Sequence, residues 1–102
     1  MISITWQDEN GKVIETCSDL ARRGWRHVPI DLDDEHTVCL RFIDDYGDTT
    51  FNQLQIPILM SELESILPNC EDDEARVSIE ALIAFIRRAE GRTHTYIKFI
   101  GD

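Results

Sequence analysis

Asp44, Asp45 and Asp48 surround a Tyr46–Gly47 pair, and Asn52, Gln53 and Gln55 follow within the next seven residues. Carboxylates and amides this close could ligate calcium, share a proton for acid–base catalysis, or form a polar recognition surface. A calcium loop of the EF-hand kind needs acids at alternating positions, a glycine at the sixth and a glutamate at the twelfth. Here a threonine pair follows Asp48 and no glutamate falls in register. Acid–base work needs one carboxylate whose pKa is raised by burial. A solvated Asp-Asp-Tyr-Gly-Asp tip would leave its acids ionised. The same residues serve well as a turn, because Asp and Gly supply its dihedral angles. Tyr46 at the tip, with Asp44, Asp45, Asp48, Asn52, Gln53 and Gln55 around it, has the composition of a protein-binding surface. There an exposed aromatic gives contact area at low entropic cost.

A second acidic run, Asp33, Asp34 and Glu35, lies in a proline-containing irregular segment with no helix to cap. It joins the first cluster if both lie at the same end of the sheet. The run from Glu71 to Glu74 is accounted for differently, as the first turn of a helix whose dipole favours negative charge.

Other chemistry is poorly provided for. His27, His36 and His94 are scattered, with no i, i+4 pairing to another ligand, so no metal site is expected. Cys17, Cys39 and Cys70 form no C-x-x-C pair and have no glycine-rich elbow around them, which speaks against zinc, a disulfide framework and a thiol nucleophile. Neither G-x-G-x-x-G nor a P-loop occurs, so no nucleotide cofactor is expected. No enzyme is read from this chain.

The elements that position these residues follow from periodicity. Residues 2–7 alternate strictly, with Ile2, Ile4 and Trp6 on one face, and a second strand over 12–17 is joined to them by an Asn10–Gly11 turn. A short helix is expected over 18–24. Val38, Leu40 and Phe42 alternate with Cys39, Arg41 and Ile43, which predicts a central strand over 37–43 and a return strand from Thr49, making the Asp44–Asp48 tip a hairpin. Pro57 opens a helix whose apolar residues include Leu59, Leu63, Ile66 and Leu67, and Pro68 ends it. A second helix, capped by Asn69, carries Ala75, Ile79, Leu82 and Ile86, with Val77, Ile83 and Phe85 widening the stripe and Gly91 at the left-handed end. Thr95, Ile97 and Phe99 mark a last strand. The class is α+β: one domain over 1–102, an antiparallel or mixed sheet of about five strands, and two helices of the C-terminal half packed on one face.

With 102 residues the chain supports a single core. Twenty acidic side chains against ten basic ones give a formal charge of −10. Such a surface repels phosphate backbones and anionic membranes, so neither nucleic acid nor membrane is an expected partner. A basic protein partner is, since charge of this kind accelerates its association. No apolar run approaches the roughly 18 residues of a membrane helix and no basic leader precedes an apolar segment, which sets the expectation at the cytoplasm.

"FIDDYGDTTFNQLQIP" (42–57) and the closing "TYIKFIGD" (95–102) resemble a group of small, largely uncharacterised bacterial proteins. That group shares an F-I-D-x-Y-G-D-T-x-F-N-x-L-Q core and a C-terminal Y-[LI]-K-F-[IV]-G-D. The resemblance implies a bacterial, cytosolic origin and adds weight to Asp44, Asp48, Asn52 and Gln55. The leading expectation is a small acidic binding protein of the immunity or inhibitor type that holds a basic partner such as a toxin domain. The alternative is a structural domain that forms a homodimer through an exposed strand edge.

Overall fold

The computed structural model describes residues 3–17, 25 and 28–101, so the short helix expected over 18–24 lies outside the described residues. Strand β1 (Ser3–Asp8) turns back into β2 (Val13–Thr16). Asp8 holds that turn: its carboxylate accepts the Asn10 and Lys12 N–H groups, both at 2.9 Å, and Gly11 takes φ of +81°. Further along the chain come a 3₁₀ turn (Leu40–Phe42), β3 (Asp48–Phe51), helix α1 (Ile56–Ile66), a second 3₁₀ turn (Leu67–Asn69), helix α2 (Asp73–Ala89) and β4 (Thr95–Ile100).

The fold is α+β, and the described residues form two α-helices and one antiparallel sheet of four strands in the order β2-β1-β4-β3. Register brings Trp6, Ile97 and Phe51 into one row and Ile4 beside Phe99 in the next. These side chains form one buried face, and the helices supply the opposite wall of a single apolar cluster. Helix α1 contributes Ile56, Leu59, Met60 and Leu63, and α2 contributes Ala75, Ile79, Leu82, Phe85, Ile86 and Ala89, each at the spacing of one helical stripe. Val77, expected to widen that stripe, faces solvent. Asp72, not Asn69, caps α2, with its Oδ1 accepting the Ala75 N–H at 2.9 Å. No helix among the described residues is long and apolar enough to cross a membrane.

The expected strand over 37–43 is absent, which removes one of about five strands and the middle hairpin with it. Cys39, Leu40 and Ile43 are buried while Val38 and Phe42 are exposed. That is a turn-like pattern, not the alternation of a strand. The physical reason is competition for hydrogen bonds. Glu62 of α1 takes the N–H groups of Val38, Cys39 and Leu40, so this backbone has no need of a sheet neighbour. The ladder position beside β3 is filled instead by β4, which pairs Asp48 with Ile100 and Phe51 with Ile97.

Candidate functional site

Asp44–Asp48 forms a turn that leads from the 3₁₀ segment into edge strand β3. The Asp44 Oδ1 accepts the Tyr46 N–H at 2.9 Å, the Asp44 N–H donates to Thr49 Oγ1 at 3.0 Å, and the Gly47 N–H reaches the Asp44 carbonyl at 3.4 Å. From the other end of the chain, the Gly101 N–H donates to the Gly47 carbonyl at 2.7 Å. A Cβ on Gly101 would lie 2.6 Å from the Asp45 carbonyl and from the Gly47 nitrogen, so only glycine lets the last strand close beneath the tip. This fastened turn projects Tyr46, which is 86% exposed, more than any other large apolar side chain among the described residues. Phe42, 59% exposed, precedes the tip with the Arg41 guanidinium 4.7 Å from its ring centre.

The remaining residues singled out from sequence separate into two kinds. Asp48 is paired with Lys98 at 3.3 Å. Asn52 and Gln55 form a reciprocal capping box ahead of α1. Asn52 Oδ1 accepts the N–H groups of Leu54 and Gln55, and Gln55 Oε1 returns to the Asn52 N–H at 2.9 Å. Gln53 Oε1 accepts the His94 N–H at 2.9 Å and so ties the start of α1 to the turn before β4, where His94 takes φ of 58°. These amides therefore position the chain. Their signal was present in the sequence as N-x-x-Q immediately before Ile56–Pro57, a helix start that the expected strand over Thr49–Gln55 obscured. A hollow of about 220 Å³ between Asn52–Leu54 and His94–Tyr96 is shaped by the same contacts.

Asp33, Asp34 and Glu35 lie in the loop before the 3₁₀ segment. Asp31 and Asp34 each bind the N–H two residues on through Oδ1, at 2.9 Å, which folds the loop into successive tight turns. The loop and the C-terminal half of α1 enclose a groove of about 420 Å³, lined in part by Asp31, Asp34 and Glu62. Asp33, Asp34 and Glu35 and the tip acids are thus not in one cavity. In the chain they precede and follow the stretch Leu40–Ile43.

Glu62 was not foreseen. One of its oxygens accepts the Val38 N–H at 2.8 Å and the other accepts Cys39 at 3.2 Å and Leu40 at 2.9 Å. No spacing rule reveals such a contact, because its donors lie more than twenty residues earlier in the chain. Beside it, burial first and the Glu62 charge second push the Cys39 thiol up to about 11, so it stays protonated and unreactive at neutral pH. Among the described residues no three His, Cys, Asp or Glu side chains converge as a metal site would require.

Ion pairs join Asp73 to Arg76, Glu64 to Arg87, Glu15 to Arg88, Glu9 to His94 and Asp48 to Lys98. Among the described residues, no basic nitrogen lies within ion-pair distance of Asp31, Asp33, Asp34, Glu35, Asp44 or Asp45. No family model, curated protein or solved structure matches this chain.

Proposed function

We propose that the chain is a small acidic protein-binding module of the immunity or inhibitor type, which holds a basic partner such as a toxin domain. The observation that carries this reading is the preorganised tip: Tyr46 stands almost wholly in solvent on a backbone fixed by its own hydrogen bonds and by Gly101. An aromatic held in place loses little freedom on docking, so more of its contact energy appears as affinity. Phe42 adds apolar area, and Asp44 and Asp45 add unneutralised charge that favours a basic surface. Asp33, Asp34 and Glu35 extend that field on the other side of the 3₁₀ segment.

The test is capture of a partner from cells that express the chain natively, at low and high salt, with wild type, Tyr46→Ala and the double variant Asp44→Lys with Asp45→Lys. A specific partner is retained by wild type and weakened about 30-fold by Tyr46→Ala, the effect of losing an aromatic anchor of about 2 kcal/mol. The charge variant reduces capture most at low salt, where screening is weak. Absence of any partner at either salt, combined with a concentration-independent dimer in light scattering, would replace this reading with self-association.

A further inference from the structure

The groove between the 29–37 loop and α1 has a mixed lining with a definite sense. Its lining includes the acids Asp31, Asp34 and Glu62, the apolar side chains of Ile30, Leu40 and Ile66, and the imidazole of His36, and among the described residues no Lys or Arg contributes to it. Asp31 and Asp34 each use one oxygen to hold the loop, leaving the other without a partner among the described residues. Both Glu62 oxygens are engaged by backbone N–H groups, so Glu62 supplies charge and not a vacant acceptor. A ligand that fits has an apolar stem and a planar cationic head with several donors. Its volume, about 420 Å³, suits a side chain or small molecule and not a docked helix.

We infer that this groove receives an arginine side chain of the basic partner, with its methylenes over Ile30, Leu40 and Ile66 and its guanidinium against Asp31 and Asp34. Arginine fits better than lysine because its fixed fork can meet two carboxylates at once and its head is less strongly hydrated. The site also lies within reach of the tip. Leu40 lines the groove and Asp44 begins the turn, and four peptide units span at most about 14 Å. One interface of ordinary size covers both. The identity of the arginine's owner rests on the proposed function; the groove's preference for the side chain does not.

The experiment titrates the whole chain with acetyl-Gly-Arg-Gly-amide by two-dimensional NMR, with the citrulline peptide as the uncharged isostere and the lysine peptide as the comparison. The groove predicts saturable shifts centred on Ile30, Leu40 and Ile66, weaker binding of lysine, and none of citrulline. Asp34→Asn weakens the arginine peptide by about fivefold or more, on the scale of one charge-assisted contact. Glu90→Gln makes the same charge change at the exposed far end of α2 and leaves binding within about twofold, as expected for a remote surface charge. Ser65→Leu, which fills the groove without altering charge, abolishes it, with thermal unfolding confirming that the variant is folded. Shifts scattered over the acidic surface, or equal weakening by Asp34→Asn and Glu90→Gln, would overturn the inference. Saturable peptide binding with no captured partner would leave the groove standing and remove the immunity reading. A captured partner sensitive to Tyr46→Ala yet indifferent to Asp34→Asn would do the reverse.

Discussion

Replacing Glu62 by alanine tests the central positional claim, that one carboxylate sets the path of the chain from the groove to the tip. In the native protein it accepts three backbone N–H groups, at 2.8, 3.2 and 2.9 Å. Cys39 and Leu40 are buried, so their N–H groups would lose a charged acceptor with little access to water, while the donor at Val38 is better placed to recruit it. Hydrogen bonds to a charged group contribute about 1.5–3 kcal/mol each, and the exposed one less. Two buried bonds and one partly solvated bond sum to about 4 kcal/mol. That is a large part of the stability expected for a domain of this size. Glu64→Ala is the control on the same helix, because its ion pair with Arg87 is exposed on both sides and contributes at most about 1 kcal/mol. Urea unfolding measures the global term. Amide hydrogen exchange at Val38, Cys39 and Leu40 measures the local one, and should accelerate far more than exchange in the β1–β4 ladder. If Glu62→Ala costs no more than Glu64→Ala and exchange at those three amides is unchanged, the carboxylate does not organise the loop and the physical account of the missing strand is wrong.

Three further outcomes follow from the same geometry. Gly101→Ala meets backbone atoms at 2.6 Å and should cost about 2 kcal/mol by overpacking, whereas Gly47→Ala meets the movable Asp44 carboxylate at 2.7 Å and should cost about half that or less; thermal unfolding of the two variants that reversed this order would contradict the closure of β4 beneath the tip. Asn52→Ala removes the acceptor of the capping box and should lower stability by about 1 kcal/mol in urea with Tyr46 still exposed, and a neutral result would mean that α1 starts independently of it. Cys39 holds its proton more tightly folded than unfolded. Its contribution is therefore complete below pH 9.0 and lost as pH rises toward about 11. The stability difference between wild type and Cys39→Ala should fall by about 2 kcal/mol across that window, and Cys39 should resist alkylation at pH 8 until the protein unfolds.

The helices were legible from sequence because their signals are local: Pro57 at a start, an apolar stripe from Ala75 to Ile86, and Gly91 at φ of +81° after the last turn. The β1–β2 hairpin and β4 were legible for the same reason, through alternation and an Asn-Gly turn. Residues 37–43 failed because alternation in Val38–Ile43 specifies two faces only if a strand lies alongside. Here the backbone partner is a side chain from α1, and the burial of Cys39, Leu40 and Ile43 follows the turn that this side chain imposes. The candidate site was legible as composition, not as arrangement. Tyr46 does stand in solvent at a turn, and yet Asn52, Gln53 and Gln55 are spent on capping and on holding His94. Sequence composition cannot distinguish an amide that faces a partner from one that faces its own backbone.

Arg76, Arg87 and Arg88 lie on α2, and Lys98 and His94 lie on or just before β4, and each sits against an acid. Between β2 and β3, Arg41 stacks on Phe42 and meets no carboxylate among the described residues. Asp31, Asp33, Asp34, Glu35, Asp44 and Asp45 in this connection have no ion-pair partner among the described residues, and Asp8, Glu71, Glu74, Glu80 and Glu90 outside it have none either. At physiological salt the screening length is about 8 Å, shorter than the roughly 14 Å maximum between Leu40 and Asp44 but comparable with it. A cation approaching the groove is therefore partly screened from the tip, and the two clusters act as neighbouring sites whose fields overlap. On the proposed reading, affinity for a basic partner depends on whether that partner spaces two features to match: an arginine for the groove and a pocket for Tyr46. A diffuse polycation satisfies neither, so on that reading selectivity resides in the spacing of the two sites and not in charge alone.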